Sequence, residues 1–375
     1  MNISCWLRIA VMAVIVLATS EARPAVLWST NTGGAVDSSP TVVNGVAYVG
    51  SDSGSIYALN ATTGQIIWQT NTGASVNSSP TVANGVVYVG SDSGYLYALN
   101  ATTGQIVWQT NTGAAVDSSP TVVNGVVYVG ADNGVYSINA STGQILWKTN
   151  TFPVSGLAFD SSPVVLNGSV YIGADNGLYK LDAATGQIAF VFLDGAFDSS
   201  PTLVNGVIYV GSSNGFYALD ANTGAPLWIT NTFPVPGLPF DSSPTVVNGE
   251  IYVGSDSGFY ALSATTGQIL WATLALQGIA FDSSPTVVDG VVYVGADNGF
   301  LYGMDAITGQ ILLQTLTGGA VDSSPYFANG IVYVGSDDGR VYALEALAVT
   351  VPEPATLGLI GLGLFGLALT RRRTN

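Results

Sequence analysis

Short apolar runs rich in Val, Ile, Tyr and Trp recur along the chain, each closed by Gly, Asn or Asp, and the segments between them carry no helical periodicity. One stretch shows the whole pattern. Pro80-Thr81-Val82-Ala83 and Val86-Val87-Tyr88-Val89 are separated by Asn84-Gly85, and Ser91-Asp92-Ser93-Gly94 then leads into Tyr95-Leu96-Tyr97-Ala98-Leu99. A third turn, Ala101-Thr102-Thr103-Gly104, leads into Gln105-Ile106-Val107-Trp108. Asn-Gly between two such runs is a strong hairpin signal, because a type I′ turn places both central residues at positive φ. The dipeptide returns at Asn44-Gly45, Asn124-Gly125, Asn167-Gly168, Asn205-Gly206, Asn248-Gly249 and Asn329-Gly330, with Asp289-Gly290 as its chemical equivalent. Each unit is therefore predicted to be a four-stranded antiparallel meander of about 40 residues.

The glycine closing each Tyr-Val or Tyr-Ile run falls at Gly50, Gly90, Gly130, Gly173, Gly211, Gly254, Gly295 and Gly335, a spacing of 38 to 43 residues. Such a period signals a repeat array, and four-stranded units at this length predict an all-β, eight-bladed β-propeller. The fourth strand carries Trp28, Trp68, Trp108, Trp147, Phe190, Trp228 or Trp271, with Leu313 in the remaining copy. These rings are expected to be blade-packing pegs, since an aromatic of this size buries a large area; a cofactor stack is the alternative. The last unit stops after Val341-Tyr342-Ala343-Leu344 without a Trp strand, whereas the repeats open with an orphan strand of that type, Val26-Leu27-Trp28-Ser29-Thr30. The N-terminal strand is thus expected to pair into the last blade, closing the ring and removing an exposed edge.

The segment Ala98 to Trp108 resembles the tryptophan-docking motif of pyrroloquinoline quinone (PQQ) propeller repeats, Ala-x-Asp-x-x-Thr-Gly-x-x-x-Trp, and Ala218 to Trp228, with Asp220, matches it in full. The resemblance covers roughly residues 26 to 346. Repeats of this kind occur in eight-bladed quinoprotein dehydrogenases and in non-enzymatic relatives such as the outer-membrane assembly lipoprotein BamB. The dehydrogenases so resembled hold the quinone against a vicinal Cys-Cys disulfide, with calcium and a catalytic Asp nearby. Here the single cysteine, Cys5, lies in the N-terminal leader, and there is no histidine. Three bases, Lys148, Lys180 and Arg340, lie between Arg23 and Thr350, few partners for an anionic tricarboxylate. No unit breaks the repeat with unusual polar residues. No catalytic residue and no cofactor is therefore expected, with Ca2+ the one candidate ion and PQQ argued against.

The termini carry addresses. Arg8, the apolar Ile9 to Ala18 and the small-residue site Ser20-Glu21-Ala22 predict a signal peptide over 1–22, ahead of a propeller over 23–348. Over 349–375, Pro352-Glu353-Pro354, an apolar stretch Ala355 to Thr370 and Arg371-Arg372-Arg373 resemble the PEP-CTERM sorting signal of Gram-negative bacteria. That resemblance implies signal peptidase and the membrane protease exosortase as partners, with transient anchoring in the inner membrane through the C-terminal helix. The arginines would hold the tail at the cytoplasmic face. An ordinary single-span anchor is the competing reading.

Between Arg23 and Thr350 there are 22 acidic residues and three basic ones. Such a surface repels nucleic acid and attracts cations. In the usual propeller wiring one face would collect Asp37, Asp117, Asp160, Asp198, Asp241, Asp282 and Asp322, with Asn77 in the same series, and a second set, Asp52, Asp92, Asp132, Asp175, Asp256, Asp297 and Asp337. The first set is read either as capping its own Ser-Ser-Pro turn or as a ring for calcium. Four of the loops leading into the innermost strands are distinctive, carrying Phe152 and Phe159, Phe197, Phe233 and Phe240, and Phe281. They are the candidate binding loops, with packing over the channel mouth as the alternative. The expected function is an exported, non-enzymatic scaffold of the cell surface or extracellular matrix, binding exopolysaccharide or envelope proteins. A PQQ-dependent oxidoreductase and a BamB-like assembly factor are the alternatives.

Overall fold

The computed structural model describes residues 25–149, 157–230, 239–273, 276 and 278–347. The signal peptide, Phe152, Phe233 and the whole sorting tail, with Pro352, Glu353, Pro354, Arg371, Arg372 and Arg373, lie outside the described residues.

Eight four-stranded antiparallel sheets make up the ring. Blade I consists of Thr41–Val43, Val46–Ser51, Ser55–Asn60 and Ile66–Asn71, paired in chain order from the innermost strand outward. Blades II to VII repeat that order, and blade VIII is completed by Val26–Asn31 paired with Arg340–Glu345, as the orphan strand predicts. The Asn-Gly hairpins adopt the expected backbone, with Asn44 at φ 50° and Gly45 at φ 77°.

Hydrophobic burial lies between blades. Tyr48, Ile56 and Ala58 of blade I pack with Val76, Val87, Val89, Tyr97 and Leu99 of blade II, and comparable clusters fill the other junctions. Both faces of the second and third strands are covered, which is why their apolar runs are continuous rather than alternating. On the outer strand Trp28 reaches across to the following blade, where its indole N–H donates to the Ala61 carbonyl at 3.0 Å. Trp68, Trp108, Trp147, Trp228 and Trp271 repeat the bond to Ala101, Ala140, Ala183, Ala264 and Ala306. The ring presses on the glycine of the Thr-Gly turn: a Cβ on Gly104 would stand 2.7 Å from Trp68.

The two exceptions have local reasons. Phe190 has no N–H to offer, and Lys180 Nζ donates to the Ala221 carbonyl instead, at 2.9 Å. Leu313 faces blade VIII, where the chain turns into Ala346 and Leu347 and forms no Thr-Gly turn for an indole to dock on.

A closed circuit of hydrogen bonds joins the eight lead-in loops. The Ser39 N–H donates to Ser79 Oγ at 2.9 Å, the bond repeats through Ser119, Ser162, Ser200, Ser243, Ser284 and Ser324, and Ser324 N–H returns to Ser39 Oγ at 2.9 Å. The preceding serine works within its own blade: Ser38 Oγ accepts from Gly50 N–H at 3.0 Å.

The ring has two unlike faces. On one, the lead-in loops meet the turns between strands two and three, as in the Asp52 N–H to Ala35 carbonyl bond of 2.9 Å. On the other, Asn-Gly hairpins meet Thr-Gly turns, as in Ala61 N–H to Gly45 carbonyl at 2.9 Å. We call these the mouth and the hairpin face.

Candidate functional site

The mouth collects both predicted aspartate sets. To these it adds Asp194, which accepts from Tyr217 at 2.7 Å, and Asp338 in the turn that follows Asp337. The inner carboxylates are crowded and poorly hydrated. Asp322 is pushed up to about 7, first by burial and then by the charges of Asp337, Asp297 and Asp282. Burial likewise leads for Asp37 and Asp117, both pushed up to about 7, each further favoured in its protonated form by a hydrogen bond to Asp337 or Asp92 respectively. Asp160, Asp241 and Asp282 rise to about 6, again chiefly through burial, and Asp198 is raised for the same reason. Near neutrality part of this ring keeps its protons.

The turn-capping role expected of these aspartates is not what the structure shows. The lead-in N–H of Ser39 goes to Ser79 Oγ, and Oδ1 of Asp37, Asn77, Asp117 and Asp322 is buried without a hydrogen-bond partner. A serine from the neighbouring blade reaches that N–H, so this aspartate oxygen is left without the donor a local cap would use. The ring is also not continuous as a set of ligands. Among the described residues, two groups bring carboxylate oxygens within 4.8 Å of one another: Asp117, Asp132 and Asp160, and Asp241, Asp256 and Asp282. Each joins two lead-in aspartates from adjacent blades to one aspartate of a strand-two-to-three turn. Oxygens this close are compatible with a single Ca2+, whose ligands sit at 2.3–2.6 Å. The pattern is interrupted beside Asp198, where the corresponding turn carries Ser213.

The aromatic lead-in residues are a correction. Phe159, Phe197, Phe240 and Phe281 are fully buried and so are not binding-loop residues. Each occupies the core position held elsewhere by Val36, Val76, Val116 or Val321, and contacts a tyrosine of the following blade, for example Phe197 with Tyr217 at 5.8 Å between centroids. The close approach of the Phe197 carbonyl to Gly173 anchors that loop over the preceding blade, which turns the ring inward.

Among the described residues the three bases each have a partner, and Arg340 closes the mouth turn beside Asp338. Lys148 lies over the Tyr136 ring at 4.9 Å, Lys180 is engaged with Ala221 on the hairpin side, and Arg340 donates to Ser29 Oγ at the rim at 3.3 Å. The carboxylates gathered at the mouth favour cations over anions.

The hairpin face carries a feature that sequence reasoning passed over. Grooves of about 510 Å³ and 560 Å³ run between blades I and II and between blades III and IV, walled by Val43, Val82 and Ile67 in the first and by Val123, Val165 and Leu146 in the second. Their signal in the sequence was a pair of consecutive aliphatics after each Thr-Gly-Gln, where simple alternation would place one.

Comparison with known proteins agrees with the architecture. A family profile described as outer membrane protein assembly factor BamB matches residues 13–230, 191–279 and 255–350, and a PEP-CTERM protein-sorting motif matches 350–373. No curated protein matches the sequence. Among solved structures, BamB from Moraxella catarrhalis superposes with a TM-score of 0.74 at 22% identity, covering 86% of this chain and 99% of its own. The computationally designed Ika8 protein gives 0.73 at 19% identity, covering 85% and 99%. Quinohemoprotein alcohol dehydrogenase from Comamonas testosteroni gives 0.72 at 20% identity, covering 88% and 78%. At these identities the likeness is one of fold.

Proposed function

Given that the chain belongs to the BamB-like PQQ-repeat family and carries a PEP-CTERM sorting motif, which implies export to the cell envelope or surface, we propose that it is a non-enzymatic binding scaffold of that surface, sorted by exosortase. Its binding face is the acidic mouth. The carrying observation is the composition of that mouth, which gathers most of the chain's carboxylates, with Arg340 as a base beside Asp338 and Lys180 engaged on the hairpin side. Ca2+ is the ion its two carboxylate triads suit, and polyhydroxylated glycans are the ligands that such an ion and the serine ring would engage together.

A thermal-shift series on the full chain tests this, using calcium, PQQ, and neutral and acidic polysaccharides. Stabilisation by calcium, and by a polysaccharide in its presence, is the expected result. Bound-quinone absorbance with dye reduction on adding PQQ and calcium would overturn it in favour of an oxidoreductase.

A further inference from the structure

Both ends of the propeller leave from one place. Ala25 accepts from Glu345 N–H at 3.1 Å, and Ala346 N–H donates to the Gly330 carbonyl at 2.9 Å, so the chain enters and exits side by side on the hairpin face. Seven residues, hence eight Cα-to-Cα steps, separate Leu347 from Ala355, where the apolar tail begins, and six residues, hence seven steps, separate Ala18, the end of the leader's apolar core, from Ala25. Fully extended, these connectors span at most ~29 Å and ~25 Å. A six-residue strand alone is ~20 Å long, so either connector would be largely used up in running along the rim towards the mouth. A chain held by either apolar segment is therefore held close to the lipid by its hairpin face.

That face is built differently from the mouth. Its acidic residues are Asp182, Asp220, Glu250, Asp289, Asp305 and Glu345, the other sixteen of the 22 standing at the mouth. Its rim is apolar by construction. In each outer strand the pairing register slips near the start, as between Ala58 and Leu59, whose partners Trp68 and Ile66 leave Ile67 as the extra residue. A bulge re-aims a side chain, and in six of the eight outer strands it turns a large aliphatic outward, with Ala189 and the half-buried Leu312 standing at the other two. Leu27, Ile67, Val107, Leu146, Leu227 and Leu270 stand at these slips, each between 47% and 54% exposed. They form a ring around the hairpin side of the propeller, and a ring of this kind can meet a plane at many points at once.

We propose that the hairpin face rests on the lipid bilayer while the chain is tethered, with the bulged aliphatic ring making the contact and the acidic mouth pointing away. The occupant is a lipid surface rather than a second copy, because the connectors bring the membrane to this face before any other molecule. The inference rests on the terminal apolar segments acting as tethers and does not depend on what the mouth binds.

Energy transfer to an acceptor-labelled lipid tests it. The full chain carrying Cys5→Ser, with a donor placed either at Thr102→Cys on a hairpin-face turn or at Ser53→Cys on a mouth turn, is reconstituted into phosphatidylethanolamine–phosphatidylglycerol vesicles. Transfer from position 102 is expected to exceed that from position 53 at least about three-fold. Serine at Leu27, Ile67, Val107 and Leu146, about half exposed, is expected to bring the two values together, with far-ultraviolet circular dichroism recording that the variant is folded. Vesicle flotation with equal transfer at the two positions, or transfer unmoved by the serine substitutions, would overturn the contact. Failure to float would overturn the tether as well. Donor-to-donor transfer between copies at position 102 that persists without vesicles would assign the face to a second copy instead. Calcium or glycan binding at the mouth is scored separately, so its failure leaves these outcomes readable.

Discussion

Replacing Asp322 by asparagine should stabilise the protein by an amount that grows as pH rises from about 4 to about 7 and then levels off. In the folded chain its carboxyl titrates near 7 rather than near 3.8, chiefly because it is buried and then because Asp337, Asp297 and Asp282 face it. Folding therefore raises its proton affinity. Below the unfolded value both states are protonated and the site costs nothing, whereas as pH climbs towards 7 and beyond the folded state must accept a charge that the unfolded state carries freely. Stability is thus lost as pH rises through this window. Unscreened, the displacement would correspond to ~4 kcal/mol. The side chain is only partly buried, so water and salt reduce this, and roughly 1–2 kcal/mol is the expected gain on removing the charge at pH 8. Asparagine keeps the shape, and Asn77 already occupies the equivalent position in blade II. Denaturant titration of the full chain and the variant at pH 5, 6.5 and 8 reads the difference directly. It should already be present at pH 5, where the unfolded carboxyl is ionised and the folded one is not, grow towards pH 8, and shrink on adding calcium or salt. A variant no more stable than the parent at pH 8, or an advantage that does not change with pH, would refute the electrostatic account of the mouth.

Three further outcomes follow from packing and hydrogen bonding. Trp108→Ala removes a half-buried ring and its bond to Ala140, and should cost about 2–4 kcal/mol in denaturant midpoint analysis, with Phe190→Ala costing less because its smaller ring makes no hydrogen bond. Ser79→Ala strips the acceptor from Ser39 N–H and breaks the circuit at one junction, which should lower stability by about 1–3 kcal/mol while leaving far-ultraviolet circular dichroism unchanged. Phe197→Ala should cost about 3–5 kcal/mol and leave any mouth ligand's affinity unaltered, since the ring lies wholly inside; a loss of affinity without loss of stability would restore it to the binding surface.

Much of the architecture was legible because each repeat states its turns explicitly. Asn44-Gly45 is confined by φ preference to one hairpin type, and the unpaired Trp28 strand has one vacancy to fill, beside Arg340–Glu345. The candidate site was less legible. Asp37 before Ser-Ser-Pro looks like a local cap, and any local reading would assign it so, yet Ser79, forty residues on, takes the N–H. The phenylalanines before the same motif look like loop aromatics, and only the approach of the neighbouring blade shows them as core.

The sequence by itself determined the number of blades, the strand that closes them and the side of the ring to which the aspartates go, because these depend on turn chemistry and period, which are properties of neighbouring residues. The tertiary structure decided which polar groups are satisfied, which aspartates converge, and which aliphatics a bulge turns outward. Those outcomes are set across the junctions between blades, where partners about forty residues apart compete for the same hydrogen bonds and the same space, and no local pattern records who prevails.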